Sequence, residues 1–307
     1  EALLQRPDVD VVHVCTPNGT HEHFAVQAFE AGKHVVVEKP LAIDVASAER
    51  IVAAAGTAQR RGSVPFVYRF HPLVREIRHR IASGHLGARS VVQGSYLQDW
   101  LAMPGQTNWR VDPSTGGPSR AFADIGSHWC DLYEFVSGER VVEVSARMRT
   151  VFDRGHSRGP GTEDAAIVGF VSDAGTIGTL VVSQVSAGRK NRLHIEISGS
   201  KASYCFDQED PESIWIGGLD ESMVLRRGES MTSAQARRLS FLPSGHPQGY
   251  QDCFNAFVLD SHAWFSGQAP EGIPTLAEGL RAAVICEAVI SSAELGGAWR
   301  RVGGPQQ

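Results

Sequence analysis

The chain has 307 residues, of which 42% are hydrophobic and 21% charged, and its formal net charge at pH 7 is −5. This length predicts about two domains with ample cores. A mildly acidic chain without a basic block is a poor ligand for nucleic acids or anionic membranes, and no apolar run approaches the ~20 residues of a membrane span. The five scattered cysteines form no CxxC pair and no signal-peptide pattern opens the chain, which together indicate a globular cytoplasmic protein.

The first third of the chain alternates predicted strands and helices. Strands are predicted at residues 9–16, 34–37 and 64–68, and helices at residues 21–31 and 45–59. The strands are continuous apolar runs, as expected when a sheet is covered on both faces. Short connections between alternating strands and helices imply right-handed crossovers, so this part is predicted to form a parallel α/β sheet.

The rest of the chain has a different pattern, with a boundary near Phe70. Short runs of strand character joined by turns predict mostly antiparallel hairpins, and two helices are predicted to close the chain. The predicted strands are 89–98, 141–152, 164–171, 176–186, 192–198 and 213–216, and the predicted helices are 73–82, 250–265 and 275–293. The fold class is therefore α/β for residues 1–70 followed by a larger α+β part for residues 71–307, with helices on one face of its sheet. The polar stretch 226–238 is expected to be exposed.

Polar residues follow two of the predicted parallel strands. Thr16, Pro17 and Asn18 come after the first strand, and Glu38-Lys39-Pro40 comes after the second. Ligands of open α/β sheets bind at the carboxyl ends of the strands. A lysine delivered there can bind an anion or polarise a substrate hydroxyl. Each segment taken singly is equally compatible with a loop that contains a turn proline.

A third cluster, residues 124–131, reads DIGSHWCD. If Asp124 begins a helix, Asp124 and His128 lie four residues apart on one face. A carboxylate near an imidazole can orient the ring and raise its basicity, as a general base requires. In isolation, a capping aspartate and a structural histidine would explain the same pattern. No metal site is predicted, because His21 and His23 are poorly spaced for one ion and no third ligand is near them.

Together, these segments resemble the Gfo/Idh/MocA family of nicotinamide-dependent sugar and cyclitol oxidoreductases. The EKP and DxGxHxxD elements are specific when they occur jointly at this separation. The resemblance extends over nearly the whole chain, through residues 9–42, 68–72 (YRFHP), 108–110 (NWR), 124–132, 178–200 and the segment that begins at Pro274.

The resemblance implies a catalytic set of Lys39, Asp124 and His128. His128 would take the proton of a carbinol while hydride passes to nicotinamide, Lys39 would stabilise the developing charge on the same oxygen, and Asp124 would orient the two. NAD or NADP is the implied cofactor, and a small sugar or polyol is the implied substrate.

The resemblance also implies binding residues and one backbone feature. The Lys39–Pro40 bond is a candidate cis peptide, and His246 and Tyr250 are candidates for the sugar pocket. The implied cofactor-binding residues are Thr16, Pro17, Asn18, His21, Glu38, Lys39, Trp109 and Arg110.

The chain departs from the family pattern at its start. Members begin with a strand and a GxGxxG turn that brings a helix N-terminus to the pyrophosphate, and no GxGxxG occurs in these residues. About 60 preceding residues would supply that turn and the acidic or basic residue that selects NAD or NADP. We therefore expect that residues 1–70 are the C-terminal part of a Rossmann domain, that Glu1 continues a helix, and that residues 1–307 alone bind the cofactor weakly.

Two alternative functions remain compatible with the resemblance. One is nicotinamide-assisted glycoside hydrolysis, and the other is a non-catalytic regulator that senses a dinucleotide or a sugar. A homodimer or homotetramer, paired through the broad second sheet, is also expected by analogy. Neither nucleic acid nor membrane is expected among the partners.

Overall fold

The computed structural model describes residues 2–154, 162–228 and 230–303, so Glu1 lies outside the described residues. The helices are α1 His21–Glu30, α2 Val45–Thr57, α3 Pro72–Ala82, α4 Pro113–Gly116, α5 Ser127–Ser137, α6 Ala234–Leu239, α7 Tyr250–Phe265 and α8 Leu276–Glu294. The strands are β1 Val11–Val14, β2 His34–Val37, β3 Gly62–Ser63, β4 Arg89–Leu97, β5 Val141–Arg149, β6 Ala165–Ser172, β7 Ile177–Ser183, β8 Arg192–Gly199, β9 Ala202–Asp207, β10 Ser213–Gly218, β11 Ser222–Arg226 and β12 Arg300–Arg301. None of the described helices is long and apolar enough to cross a membrane.

Strands β1, β2 and β3 form a small parallel sheet in that order. Its core contains Phe29 of α1, Ile51 of α2 and Leu276 of α8, so the helix that closes the chain returns to this first sheet. The predicted parallel sheet is confirmed. The predicted third strand at residues 64–68 is wrong, because the strand is confined to Gly62–Ser63. Pro65 has no N–H to offer a ladder, and a 3₁₀ turn begins at Val67.

The large sheet has the strand order β11-β10-β9-β8-β4-β7-β6-β5-β12 among the described residues. Its pairs are antiparallel except β4 and β7, which run parallel. Helices α3, α5 and α8 cover one face, and Trp129, Tyr133 and Phe170 lie in the core between. The opposite face exposes apolar side chains such as Ile167 and Ile177. The predicted fold class is confirmed.

The stretch 226–238 is not the exposed segment that its polarity suggested. The Arg227 side chain is buried and pairs with Glu212 at 3.0 Å. The buried Glu76 carboxylate of α3 accepts hydrogen bonds from the backbone N–H groups of Thr232 and Ser233, which anchors the start of α6. The expectation of exposure was wrong because these polar groups form hydrogen bonds and ion pairs with other protein groups rather than with water.

The imidazole of His71 is buried at the start of α3. Its Nδ1 accepts from the Leu73 N–H at 3.3 Å, and its Nε2 has no partner among the described residues. Burial, assisted by the Arg227 charge, lowers the pKa of His71 to about 3. In an unfolded chain a histidine titrates near 6.5. Between about pH 6.5 and about pH 3, His71 is therefore protonated in the unfolded chain but neutral in the folded chain. The free energy of unfolding falls as the pH falls through this range.

We expect His71→Asn to flatten this acid-induced loss of stability. Asparagine can still accept from the N–H at the helix start but does not titrate, whereas histidine contributes up to about 1.4 kcal/mol per pH unit within the window. Denaturant unfolding at several pH values measures the slope. His79→Asn, at an exposed position of the same helix, serves as the control and should leave the slope unchanged. Equal slopes for wild type and His71→Asn would contradict the assignment.

Candidate active site

The carboxyl ends of β1 and β2 lie side by side because the two strands are parallel. β1 leads into Thr16, Pro17 and Asn18, and β2 leads into Glu38 and Lys39. The Lys39–Pro40 peptide bond is cis, as the family resemblance implied. This arrangement brings the polar residues that follow the two strands to one edge of the small sheet.

His21 holds the two strand ends together. Its ring is fully buried, with Nε2 2.8 Å from the Thr16 carbonyl oxygen and Nδ1 2.9 Å from the Pro40 carbonyl oxygen. Burial lowers the pKa of His21, although both carbonyl contacts oppose this shift. Nearby, Asn18 Nδ2 donates to the Gly116 carbonyl at 2.9 Å. His21 and Asn18 therefore fix the shape of the loops through their contacts with backbone carbonyls.

Asp124 lies in a π-helical turn, Phe122–Gly126, that runs directly into α5. The sequence offered a helix start at Asp124 only as one possibility and gave no sign of the wider turn. Lys39 Nζ donates to Asp124 Oδ1 at 2.5 Å and to the Asp124 carbonyl at 2.9 Å. This ion pair joins the edge of the small sheet to the helical layer of the large one.

The second carboxylate oxygen of Asp124 is also held. Gln184, which follows β7, donates from Nε2 to Asp124 Oδ2 at 2.7 Å. Gln184 is itself buried, and its Oε1 accepts from Arg120 Nη1 at 2.7 Å. Burial would raise the pKa of Asp124, but the charge and the hydrogen bond of Lys39, together with the charge of Arg110, hold the pKa below its usual range. Asp124 is therefore an ionised carboxylate whose two oxygens are both fixed.

His128 lies one turn after Asp124 and has a different environment. The residue is 5% exposed, and its Nδ1 is buried without a hydrogen-bond partner among the described residues. The ring packs edge-on against Phe66 and Tyr68, with centroids 5.7 and 5.4 Å away. Burial, followed by the Lys39 charge, lowers the pKa of His128 well below its usual value. The imidazole is therefore neutral at pH 7 and can accept a proton.

A cleft of about 220 Å³ opens over these groups. Its lining residues are Lys39, Tyr96, Gln98, Asp124, Ile125, His128, Asn191 and Tyr250. Asn191 Oδ1 accepts from the Tyr96 hydroxyl at 2.7 Å and from Gln98 Nε2 at 2.9 Å, and the Tyr68 hydroxyl lies 2.5 Å from that of Tyr96. One wall of the cleft is thus a connected set of hydrogen-bonding side chains.

The sequence did not indicate Tyr96, Gln98, Gln184 or Asn191. Gln98 and Gln184 follow β4 and β7, and Asn191 precedes β8, so all three lie at the same edge of the large sheet. That edge resembles the carboxyl edge of the small sheet because β4 and β7 run parallel. The sequence predicted mostly antiparallel hairpins in this part of the chain, so it gave no reason to expect such an edge there.

The remaining predicted site residues lie at different distances from the cleft. The Arg110 guanidinium covers the Trp109 ring at 4.3 Å, and its Nε lies 3.8 Å from Asp124 Oδ1. Glu38 lies beside Lys39 and accepts from its backbone N–H at 3.2 Å. Tyr250 lines the cleft. His246 is exposed, does not line it, and offers its carbonyl to buried Arg227, so its contact with substrate stays a prediction.

In chemical terms, the cleft combines a neutral imidazole, an ammonium group fixed by a carboxylate, and neutral hydrogen-bonding groups. The first can take a proton from an alcohol, and the second can stabilise negative charge that develops on its oxygen. Within the described residues, no three metal-ligating side chains are grouped in this cleft. The arrangement suits transfer of a proton from the hydroxyl group of an alcohol.

Comparison with known proteins identifies both parts of the chain. Residues 1–66 match a family model described as the oxidoreductase family with an NAD-binding Rossmann fold, and residues 74–205 match the GFO/IDH/MocA C-terminal domain. Levoglucosan dehydrogenase of Pseudarthrobacter phenanthrenivorans is 27% identical over 95% of this chain and 80% of its own length.

Solved structures agree with this match. An oxidoreductase domain protein from Kribbella flavida is 37% identical, with a TM-score of 0.88 over 99% of this chain and 83% of its own. An inositol dehydrogenase homolog from Azotobacter vinelandii, solved with NAD+, is 29% identical, with a TM-score of 0.87 over 97% of this chain and 80% of its own.

Proposed function

Since this chain belongs to the Gfo/Idh/MocA family of NAD-binding oxidoreductases, we propose that it transfers hydride between a sugar or cyclitol carbinol and a nicotinamide cofactor. The observation that carries the proposal is the convergence of Lys39, Asp124 and His128 on one polar cleft. A non-catalytic sensor would not need a neutral buried imidazole beside an ammonium group held by a carboxylate.

The side chains divide the proton chemistry among them. His128 accepts the carbinol proton when the alcohol is oxidised and returns it in the reverse direction, because its lowered pKa keeps the ring neutral. Lys39 donates a hydrogen bond to the same oxygen and stabilises its negative charge. Asp124 holds the Lys39 ammonium at 2.5 Å, so that the donor is in place before the substrate arrives.

The edge of the small sheet suits the nicotinamide end of a dinucleotide. Thr16, Pro17 and Asn18 would hold it from β1, and Glu38 and Lys39 from β2, with Trp109 and Arg110 nearby. The fit is supported by the buried His128 Nδ1, which no described residue satisfies and which belongs to a ring that lines the same cleft as Lys39. When bound, nicotinamide supplies the hydride acceptor or donor.

The polar wall of the cleft supports a substrate with several hydroxyl groups. Gln98, Asn191 and Tyr250 are neutral and can both donate and accept hydrogen bonds, which matches a polyol rather than a charged substrate. Relatives named for levoglucosan and for inositols suggest the first compounds to try.

The assay follows the absorbance of reduced nicotinamide with the full-length protein, with NAD and NADP tested separately, over a panel of levoglucosan, myo-inositol, scyllo-inositol and simple aldoses. Cofactor reduction that depends on one of these compounds is the expected result. Release of an aglycone without net cofactor reduction would instead favour the glycoside hydrolase, and binding without turnover would favour the sensor.

Gln184 provides a test of how the carboxylate is held. Gln184→Met keeps a side chain of similar size but removes the donor to Asp124 Oδ2, so the pKa of Asp124 should rise and Lys39 should be less firmly positioned. We expect kcat to fall about tenfold and KM to change less, because the loss affects the positioning of Lys39 rather than the binding of substrate. Gln93→Met, at an exposed position, is the control. A kcat equal to that of the wild type would contradict a positioning role.

A further inference from the structure

A second group of chemically reactive side chains lies outside the cleft, on the face of the large sheet that carries no helices. His194 and Glu196 are two residues apart on β8, and Cys205 lies on β9 directly opposite Glu196. Their strand neighbours Leu193, Ile195 and Ile197 are buried in the core, so the alternation of the strand turns these three side chains to the outer face. Each of the three is half-buried.

We propose that His194, Glu196 and Cys205 form a site for a divalent transition metal of the zinc class. The three ligand atoms lie within 4.8 Å of one another, and Cys205 Sγ is 3.1 Å from His194 Nε2. A tetrahedral ion with usual zinc–sulfur and zinc–nitrogen bonds separates these two atoms by about 3.6 Å. A small rotation of the side chains therefore admits the ion without movement of the backbone.

The donor types select the class of metal. A thiolate and an imidazole suit zinc or cobalt, whereas magnesium and calcium prefer sets made only of oxygen. When the ion binds, the Cys205 thiol releases its proton to solvent, and the thiolate and the Glu196 carboxylate together balance the two positive charges. Three protein ligands leave the fourth tetrahedral position to water.

The neighbouring groups leave this set intact. Asp207 faces His194 across the strands, but it is engaged by Arg192 Nε at 2.8 Å. On the helical side of the sheet, the backbone carbonyl of His194 accepts from Trp129 Nε1 at 2.8 Å, which fixes the strand beneath the site. The ligands therefore stand on a rigid, paired part of the sheet, as a preformed metal site requires.

The sequence indicates neither the histidine–glutamate pair nor the cysteine as a metal ligand. His194-x-Glu196 is a common strand pattern, and Cys205 follows only after a turn and a change of strand. The register of β8 against β9 brings the cysteine opposite the glutamate, and a shift by one residue would send it to the core.

The test is titration of the whole metal-free protein with Co²⁺ alone, followed by competition with Zn²⁺. We expect a thiolate-to-cobalt charge-transfer band in the near ultraviolet and tetrahedral d–d bands in the visible, both lost on addition of Zn²⁺. Cys205→Ser should abolish the charge-transfer band, and His194→Gln should weaken binding by at least about tenfold. Cys15→Ser, which removes an exposed thiol outside this site, should leave the spectra unchanged.

Two outcomes would overturn the proposal: no charge-transfer band in the wild-type protein, or a band that survives in Cys205→Ser. Should Cys205→Ser fail to fold, as judged by circular dichroism, Glu196→Gln and His194→Gln carry the same comparison. Unchanged cobalt affinity in both of those variants would overturn the assignment equally. The readout needs neither substrate nor nicotinamide, so its failure would leave the proposed oxidoreductase reaction untouched.

Discussion

Replacement of Lys39 by methionine is expected to lower kcat/KM for the proposed oxidation by about 10³. Methionine has a similar length but no charge and no donor, so it neither stabilises the substrate oxygen nor compensates the Asp124 carboxylate. The pKa of that carboxylate should therefore rise, because burial acts on it without the opposing cation. Steady-state kinetics over a range of pH measures both effects.

Two further variants make this result interpretable. Lys39→Arg keeps the charge in a larger, planar group, and we expect it to keep Asp124 paired but to recover little of the activity. Lys33→Met removes an exposed ammonium that bonds only to the Arg6 carbonyl among the described contacts, and it should behave as wild type. Wild-type turnover in Lys39→Met would remove Lys39 from the mechanism.

Replacement of His128 by glutamine is expected to lower kcat for oxidation by about 10² to 10⁴ at neutral pH. Glutamine can hydrogen-bond to the substrate hydroxyl but cannot carry its proton away. In the wild-type enzyme the pKa of His128 lies well below its usual value, so kcat/KM for oxidation should stay level to below pH 6.5 and fall only when the ring becomes protonated.

The pH profile distinguishes proton transfer from loss of packing. His128→Gln should lack the acid limb, whereas a variant harmed only by poor packing would retain it at a lower maximum. His79→Gln, at an exposed site on α3, controls for the loss of a histidine elsewhere. An acid limb that persists unchanged in His128→Gln would show that another group takes the proton.

The sequence was most informative where local pattern and function coincide. The apolar run of β2 ends at Glu38 and Lys39, and an apolar parallel strand predicts both the sheet and the position of the residues that follow it. Asp124 and His128 were selected for similar reasons, by their spacing and by the resemblance to a family. The carboxylate nevertheless pairs directly with Lys39 through a π-helical turn that the sequence does not reveal.

The polar wall of the cleft could not be derived in the same way. Tyr96 occupies a buried position of β4 and reads as an ordinary core residue, and Asn191 lies in a charged loop that reads as solvent-exposed. Their proximity depends on the parallel pairing of β4 with β7 and on the start of β8 beside β4. Such register is set by long-range packing, which a single sequence expresses weakly.

Lys39 belongs to the edge of one sheet and Asp124 to the helical layer of the other, so the ion pair that we propose for catalysis also links the two halves of the molecule. A small change in the spacing of the halves would break that contact while each sheet kept its hydrogen bonds. Catalytic activity should therefore depend on the alignment of the two halves and not only on whether each half is folded. On heating or on addition of denaturant, the enzyme should lose activity before spectroscopy detects unfolding.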